Sequence, residues 1–251
     1  MRNLCLATTD EHAFELAQKY NLGIELDQFC TAMYMDGPVF TVYDAQARSM
    51  LSRARVFHGP FNELAPCAID PRVRQVSMDR YNQAFELMWN YGLKKMVLHG
   101  GYVPLVYFKV WYVEQSIPFW KEFLADKPAD FELCLENVME PDPSYLVEIV
   151  EGVDDPRCGL CFDTGHANIT KVCEVPTEEW IKAFAPHLKH LHLHNNDGVW
   201  DWHKNLAEGT IDMNRVLDLL DEMAPAASIT FENIDDTEKS IEFYNKHYHH
   251  A

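Results

Sequence analysis

Residues 131–166 read FELCLENVMEPDPSYLVEIVEGVDDPRCGLCFDTGH and show most clearly how apolar runs and helical segments alternate along the chain. An apolar run, Phe131–Val138, is followed by a helical segment, and a second apolar run, Gly159–Asp163, follows that segment. Short apolar runs that alternate with longer helical segments are typical of parallel βαβ units. The stretch therefore predicts parallel strands connected by helices.

The same alternation continues on both sides of this stretch. The eight predicted strands are Leu4–Thr8, Gly23–Phe29, Arg53–His58, Lys95–His99, Phe131–Val138, Gly159–Asp163, His187–His194 and Ser228–Ile234. Eight βα units in about 250 residues match a (β/α)8 TIM barrel, and a doubly wound sheet is the structural alternative. No linker-like tract divides the chain, so we expect one α/β domain over residues 1–251.

Two local patterns give testable boundaries. Asp70 and Pro71 are typical of a helix start, and Gly92 is typical of a helix end, so they predict the helix that follows the third strand. Residues 30–43 form the longest stretch before the third strand that we expect to be irregular.

The composition is that of a globular protein with an acidic surface. The 251 residues include 21 Lys and Arg against 39 Asp and Glu, for a formal net charge of −18, and 47% are hydrophobic. These values exclude disorder and collagen-like repeats. The charge disfavours DNA, RNA and anionic membranes as partners.

Location and redox state follow from what the sequence lacks. The most apolar long run, Val103–Val113, is too short to span a bilayer and contains Lys109. The first ten residues, MRNLCLATTD, have no signal-peptide core, so we expect a cytoplasmic protein. Its seven cysteines, an odd number, should then be reduced.

Active sites of barrels lie where strands end, and here the strand ends carry metal-ligand residue types. The candidates are His58, His99, Glu136, Asp163, His166, His192, His194, Asp201, His203 and Glu232. Histidine and carboxylate are ligands for Zn²⁺, Mn²⁺ and similar ions. Their recurrence at six successive strand ends predicts a metal site.

Side-chain alternation along strands predicts which way the residues of two further motifs face. His190, His192 and His194 face the same way, so His190 should lie deeper and have a structural role. Cys158 and Cys161 face opposite ways, so this C-x-x-C predicts packing rather than a zinc or redox site.

The motifs HGPF, LHGG, LENV, FDTGHAN, HLHLHNND, DWHKNLAEGTID and FENI resemble the xylose isomerase-like TIM-barrel superfamily. That group includes sugar-phosphate isomerases and epimerases and the endonuclease IV family. The isomerase resemblance implies one divalent metal held by Glu136, Asp163, His192 and Glu232. It also implies that Glu136 and Glu232 act as acid and base.

The endonuclease IV resemblance implies three zinc ions and nine ligands. Those nine are His58, His99, Glu136, Asp163, His166, His192, Asp201, His203 and Glu232. The alignment favours His192 as the seventh-strand ligand, with His194 as the alternate that lines the site. The A-E-G segment after D-x-H places Glu208 near the ligands.

Nuclease activity is disfavoured by the rest of the chain. Phe61 and Asn62 stand where the endonuclease family has a DNA-penetrating Tyr-Leu pair. The loops after the first two strands hold few basic residues, whereas an enzyme that embraces DNA needs them.

Aromatic residues near the strand ends are candidates for pocket walls. Phe61, Tyr102, Trp200 and Trp202 are predicted to contact substrate, together with His194, Lys204 and Glu208. Trp111 is a further candidate, with packing against a helix as the alternative.

Together these observations predict a cytoplasmic sugar or sugar-phosphate isomerase or epimerase that uses one to three divalent ions, zinc or manganese. The alternative is an endonuclease IV-like zinc phosphodiesterase, and a third interpretation is a barrel that holds metal without turnover. We expect a small carbohydrate as the partner and neither nucleic acid nor membrane, while formation of a homo-oligomer stays open.

Overall fold

The computed structural model describes residues 2–169, 172–173 and 175–249, and its centre is a closed barrel of eight parallel strands. The strands are β1 Leu4–Ala7, β2 Gly23–Leu26, β3 Ala54–His58, β4 Lys95–His99, β5 Glu132–Glu136, β6 Cys158–Asp163, β7 Leu188–Leu193 and β8 Ser228–Phe231. Each strand pairs with the next along the chain, and β1 pairs with β8. The TIM-barrel prediction is therefore confirmed, and the doubly wound sheet is excluded.

Helices surround this barrel. They are α1 Ala13–Tyr20, α2 Gly37–Met50, α3 Pro71–Asn90, α4 Lys109–Leu124, α5 Ser144–Val153, α6 Thr164–Ala167, α7 Thr177–Phe184, α8 Met213–Met223 and α9 Thr237–His249. Within the described ranges, no helix is both long enough and apolar enough to cross a membrane.

The core has an outer layer and an inner layer. Outward side chains such as Leu98, Leu135 and Phe162 are buried between the strands and the helices. A separate inner cluster fills the barrel with small residues: Cys5, Val56, Val97, Cys134 and Cys161. Cys158 belongs to the outer layer, so the expectation that Cys158 and Cys161 face opposite ways is confirmed.

The predicted start and end of the third helix are confirmed. The Asp70 side chain accepts a hydrogen bond from the backbone N–H of Arg72, at 2.8 Å, and Pro71 is the first helical residue. Gly92 has a φ of +77° just beyond the end of α3, a conformation that glycine adopts without steric cost.

The expected irregular stretch at residues 30–43 is wrong in its second half. A 3₁₀ turn covers Ala32–Met35, and α2 begins at Gly37. Pro38 lies in the first turn of α2, where its missing N–H costs no hydrogen bond.

Candidate metal centre

The carboxyl ends of strands β3 to β8 bring the predicted residues into one cluster. His58, His99, Glu136 and Asp163 are the last residues of β3, β4, β5 and β6. His192 lies one residue before the end of β7, and Glu232 directly follows β8. His166 lies in α6, and Asp201 and His203 lie in the loop after β7.

Glu136 is the centre of the inner part of this cluster. Its Oε2 lies 3.2 Å from Nε2 of His58 and 3.2 Å from Nε2 of His99. Its Oε1 lies 3.3 Å from Nδ1 of His166 and 3.2 Å from Nδ1 of His192. One buried carboxylate thus contacts four histidine rings that come from four different elements.

His192 and Glu232 each present a buried atom that lacks a hydrogen-bond partner among the described residues. Nδ1 of His192 lies 3.3 Å from Oε2 of Glu232, yet neither atom has a hydrogen-bond partner in the part of the chain that the structure describes. Oδ2 of Asp163 lies 3.9 Å from the same Nδ1. Tetrahedral zinc with ligands at about 2.1 Å spaces its ligand atoms roughly 3.4 Å apart. Orphaned atoms at this spacing fit a shared divalent ion.

Asp201 is the centre of the outer part of the cluster. Its Oδ2 lies 3.1 Å from Nε2 of His166 and 3.0 Å from Nε2 of His203. His203 has a φ of +46°, and its ring stacks on that of His194 with centroids 3.9 Å apart. Nε2 of His194 lies 3.0 Å from Oδ2 of Asp163.

Both histidines left open for strand β7 therefore reach the cluster, but they face different carboxylates. His192 faces Glu136 and Glu232, whereas His194 faces Asp163 and, at 3.8 Å, Asp201. Gly165 makes this possible, because a Cβ at that position would collide with the ring of His194.

Several triplets have donor atoms close enough to share one ion, within 4.8 Å of one another. They include His58, His192 and Glu232; His58, His99 and Glu136; His166, Asp201 and His203; and His194, His203 and Glu232. Nitrogen and oxygen donors in such groups suit zinc or manganese. The cluster has donors for more than one ion.

Within the cluster, neighbouring histidines lower the pKa values of the glutamates, and neighbouring carboxylates raise the pKa of His203. Burial raises the pKa of Glu136, but His192 and His99 outweigh it and hold this pKa well below its ordinary value. Burial likewise raises the pKa of Glu232, but His192 brings it to about 2. Burial lowers the pKa of His203, but the Asp201 hydrogen bond and nearby carboxylates raise it to about 9. The two glutamates are therefore ionised at neutral pH.

Glu25 lies inside β2 and is fully buried, and the strand-end pattern did not predict it. Its Oε1 lies 3.1 Å from Nε2 of His192, and its Oε2 lies 3.0 Å from Nε2 of His190. The available signal was one acid between apolar neighbours in GIEL. His190 lies deeper than His192, as its alternation predicted.

One predicted wall residue contacts the cluster directly. The ring of Phe61 stacks on His99, with centroids 4.1 Å apart and an interplanar angle of 11°. Phe61, His99 and Tyr102 line a cavity of about 270 Å³. This cavity opens beside the inner part of the cluster.

The other predicted contact residues lie farther out. Trp200 and Trp202 are more than half exposed and flank Asp201 in the loop. Lys204 is partly buried, and its backbone pairs with that of Asn195.

Two further predicted residues have contacts outside the cluster. Glu208 is exposed, and its charge acts on Lys239. Trp111 donates its Nε1–H to the carbonyl of Cys67 at 2.8 Å, which agrees with the packing alternative for this residue.

The fold and the cluster define a class of protein: a TIM barrel with a histidine- and carboxylate-rich centre at the carboxyl ends of its strands. Residues 21–247 match the family described as xylose isomerase-like TIM barrel. The chain belongs to this family, as its motifs predicted.

Individual relatives and solved structures are similar to most of this chain. An uncharacterized protein of Methanocaldococcus jannaschii is 28% identical over 235 residues, which cover 87% of this chain and 78% of the relative. A Thermus thermophilus protein soaked with ZnCl2 has a TM-score of 0.80 at 25% identity, and the match covers 99% of both chains. A D-tagatose 3-epimerase-like protein has a TM-score of 0.79 at 23% identity, and the match covers 99% of this chain and 97% of the other.

Proposed function

We propose that this protein is a divalent-metal-dependent sugar isomerase or epimerase. The observation that carries the proposal is the arrangement of two buried carboxylates around one ring nitrogen. Oε1 of Glu136 and Oε2 of Glu232 lie 3.2 Å and 3.3 Å from Nδ1 of His192. Isomerisation and epimerisation need one group that removes a proton from carbon and another that returns it.

Glu136 and Glu232 are the acid and base of the proposed reaction: one carboxylate removes the substrate proton, and the other returns a proton to carbon after taking one up from solvent. Both carboxylates are ionised at neutral pH because nearby histidines lower their pKa values, so either can accept the proton of a substrate C–H bond. Burial alone would raise the pKa values of both glutamates, but the charges of the nearby histidines outweigh it. Proton removal therefore depends on a substrate whose C–H bond is already acidified.

A divalent ion held by Glu136, Asp163, His192 and Glu232 would supply that acidification by polarising the substrate carbonyl. The orphaned Nδ1 of His192 and Oε2 of Glu232 support this ligand set. We propose zinc or manganese, because the donors are nitrogen and oxygen.

The surroundings of the centre favour a carbohydrate as substrate. Phe61, held flat against His99, offers an aromatic face beside the centre, and Trp200 and Trp202 stand at its outer rim. Such faces suit the apolar faces of sugars. The D-tagatose 3-epimerase-like structural neighbour supports the same substrate class. Few basic residues follow β1 and β2, so we place unphosphorylated sugars ahead of sugar phosphates.

The first prediction tests this proton transfer. Zinc- or manganese-loaded protein, incubated in D2O with a panel of ketoses, aldoses and their phosphates, should incorporate deuterium at a carbon next to the carbonyl. The measurement is NMR of the recovered sugars. Glu136→Gln and Glu232→Gln should each lower the rate by at least about 100-fold, because proton transfer by a positioned group contributes roughly 10²–10⁴-fold.

Glu140→Gln is the matched control for this experiment. Glu140 is also a buried carboxylate near the end of β5, but Tyr112 and backbone N–H groups already satisfy it. This variant should keep the exchange rate within about twofold. Absence of exchange on the whole panel by metal-loaded protein would refute the proposed reaction.

A second candidate function is hydrolysis of phosphoesters. The observation in its favour is the outer group of His166, Asp201 and His203, which adds donors that a single ion does not need. Elemental analysis separates the two candidates. Three zinc ions per chain together with cleavage of abasic duplex DNA at low salt would favour the hydrolase, and one ion per chain would favour the isomerase.

A further inference from the structure

Glu25 lies below the centre and contacts two histidines, His190 and His192. Together with Thr230 they form a network of four residues, and all four are fully buried. Its Oε1 meets Nε2 of His192 at 3.1 Å. Its Oε2 meets Nε2 of His190 at 3.0 Å and accepts the hydroxyl of Thr230 at 2.5 Å. The side chains of this network therefore satisfy both carboxylate oxygens.

Lys95, which lies next to this network, determines which of its atoms donate hydrogen bonds and which accept them. Its ammonium group has only donors, and three acceptors surround it: the carbonyl of Lys189 at 3.1 Å, Oγ of Ser228 at 2.9 Å and Oε2 of Glu132 at 3.2 Å. Because Ser228 accepts from Lys95, its own hydrogen goes to the nearest remaining acceptor, Nδ1 of His190 at 2.7 Å.

The hydrogen-bond donors and acceptors of His190 and Glu25 then determine which ring nitrogen of His192 carries the hydrogen. His190 accepts at Nδ1, so its Nε2 carries the hydrogen and donates to Glu25. The Glu25 carboxylate can only accept, so Nε2 of His192 also carries a hydrogen. The neutral ring of His192 then has its lone pair at Nδ1, the atom that faces Glu136 and Glu232.

We propose that Glu25 is a positioning residue for the metal centre, because it fixes His192 in the form that offers Nδ1 to a divalent ion. Hydrogen bonding of the second ring nitrogen is a general means of orienting a histidine ligand. The proposal rests on the metal binding assumed in the proposed function, but it holds for any reaction that the centre catalyses.

Glu25→Gln is the most direct test. The two donors on the Oε2 side, His190 and Thr230, would hold the amide oxygen there and turn the amide NH2 towards His192. The ring of His192 would then have to accept at Nε2 and carry its hydrogen at Nδ1, which removes the lone pair from the centre. We expect zinc affinity, measured by competition with a chromophoric chelator, to fall roughly 10- to 100-fold.

The second readout does not depend on activity. In the zinc-loaded wild type, the Nε2–H of His192 should give a slowly exchanging, low-field imidazole resonance, identified by its loss in His192→Gln. Glu25→Gln should shift or remove that resonance. Thr230→Val, which removes one donor to Glu25 without changing side-chain size, should weaken zinc binding severalfold and still fold.

The controls separate this role from structural support and from the proposed reaction. Glu140→Gln should keep zinc affinity within about twofold and leave the His192 resonance in place. Zinc affinity within about twofold of wild type in Glu25→Gln, with the resonance unchanged, would overturn the proposal. Loss of a whole equivalent of zinc at unchanged affinity would make Glu25 a ligand and would also overturn it. Wild type that binds zinc but exchanges no sugar proton would refute only the proposed reaction.

Discussion

The position of each histidine along β7 and its end determines which carboxylates the ring contacts. Residues 190, 192 and 194 all point into the barrel, but each meets different carboxylates: Glu25 alone, Glu25 with Glu136 and Glu232, and Asp163. The alternation of β7 predicts their common direction. It does not predict the partners, which come from strands distant in the sequence.

The raised histidine pKa values lead to a prediction about zinc binding. His203 has a pKa of about 9, and burial lowers the pKa of His192 less than its neighbouring charges raise it. Below these pKa values the rings are protonated, and a metal ligand must lose that proton. Zinc binding at about pH 7 should therefore release at least one proton per ion, and affinity should rise from about pH 6 to about pH 9.

Calorimetry in two buffers of different ionisation enthalpy measures this proton release. His203→Gln should reduce the number of released protons if the outer group binds an ion, and should leave it unchanged if only the inner group does. Identical heats in both buffers for the wild type would contradict the prediction.

Among the helices, ends that carry local signals were easier to predict than a helix with a mixed composition. Asp70, Pro71 and Gly92 carry signals that act locally, so α3 is found from sequence. The residues of α2 include Val39, Phe40 and Tyr43, which have no strong helix preference. Tertiary contacts such as the burial of Ala47 favour the helix there, and a local pattern does not report them.

The N-terminal cap of α3 gives a prediction about stability. Asp70→Ala removes the acceptor for the N–H of Arg72, and we expect the free energy of unfolding to fall by about 1 kcal/mol. Urea denaturation at neutral pH measures the change. Asp79→Ala, on the exposed side of the same helix, should cost about 0.5 kcal/mol or less. If both substitutions lowered the free energy of unfolding equally, the cap would contribute no more to stability than an exposed residue of the same helix.

For the chain taken together, the sequence was sufficient to predict the barrel and the residue types at the carboxyl ends of its strands. All eight predicted strands exist, and the ends of β3 to β8 supply the residue types expected of them. Glu25 was not predictable in the same way, because a lone acid inside β2 has meaning only once His190 and His192 are placed opposite it. Site roles depend on such contacts, so they stay predictions until metal and substrate binding are measured.

The candidate ligands come from six of the eight strands or the loops after them, so a bound ion would tie most of the barrel together. Zinc at about 100 times its dissociation constant should stabilise the fold by roughly 2.7 kcal/mol. For a chain of this size we expect the melting temperature to rise by roughly 5–10 °C. Calorimetry with zinc and with a chelator tests this. Glu140→Gln should keep the shift, and Glu136→Gln should lose most of it.

The pairing of β1 with β8 also constrains how the chain folds. Leu4 pairs with Ile229, so the first strand finds its second neighbour only after almost the whole chain has been made. Contacts between residues so distant in sequence slow folding. During synthesis, β1 therefore keeps an unpaired edge until the last strand emerges, and unpaired edges promote association with other chains. The nascent protein is most exposed to aggregation in the interval before that closing strand leaves the ribosome.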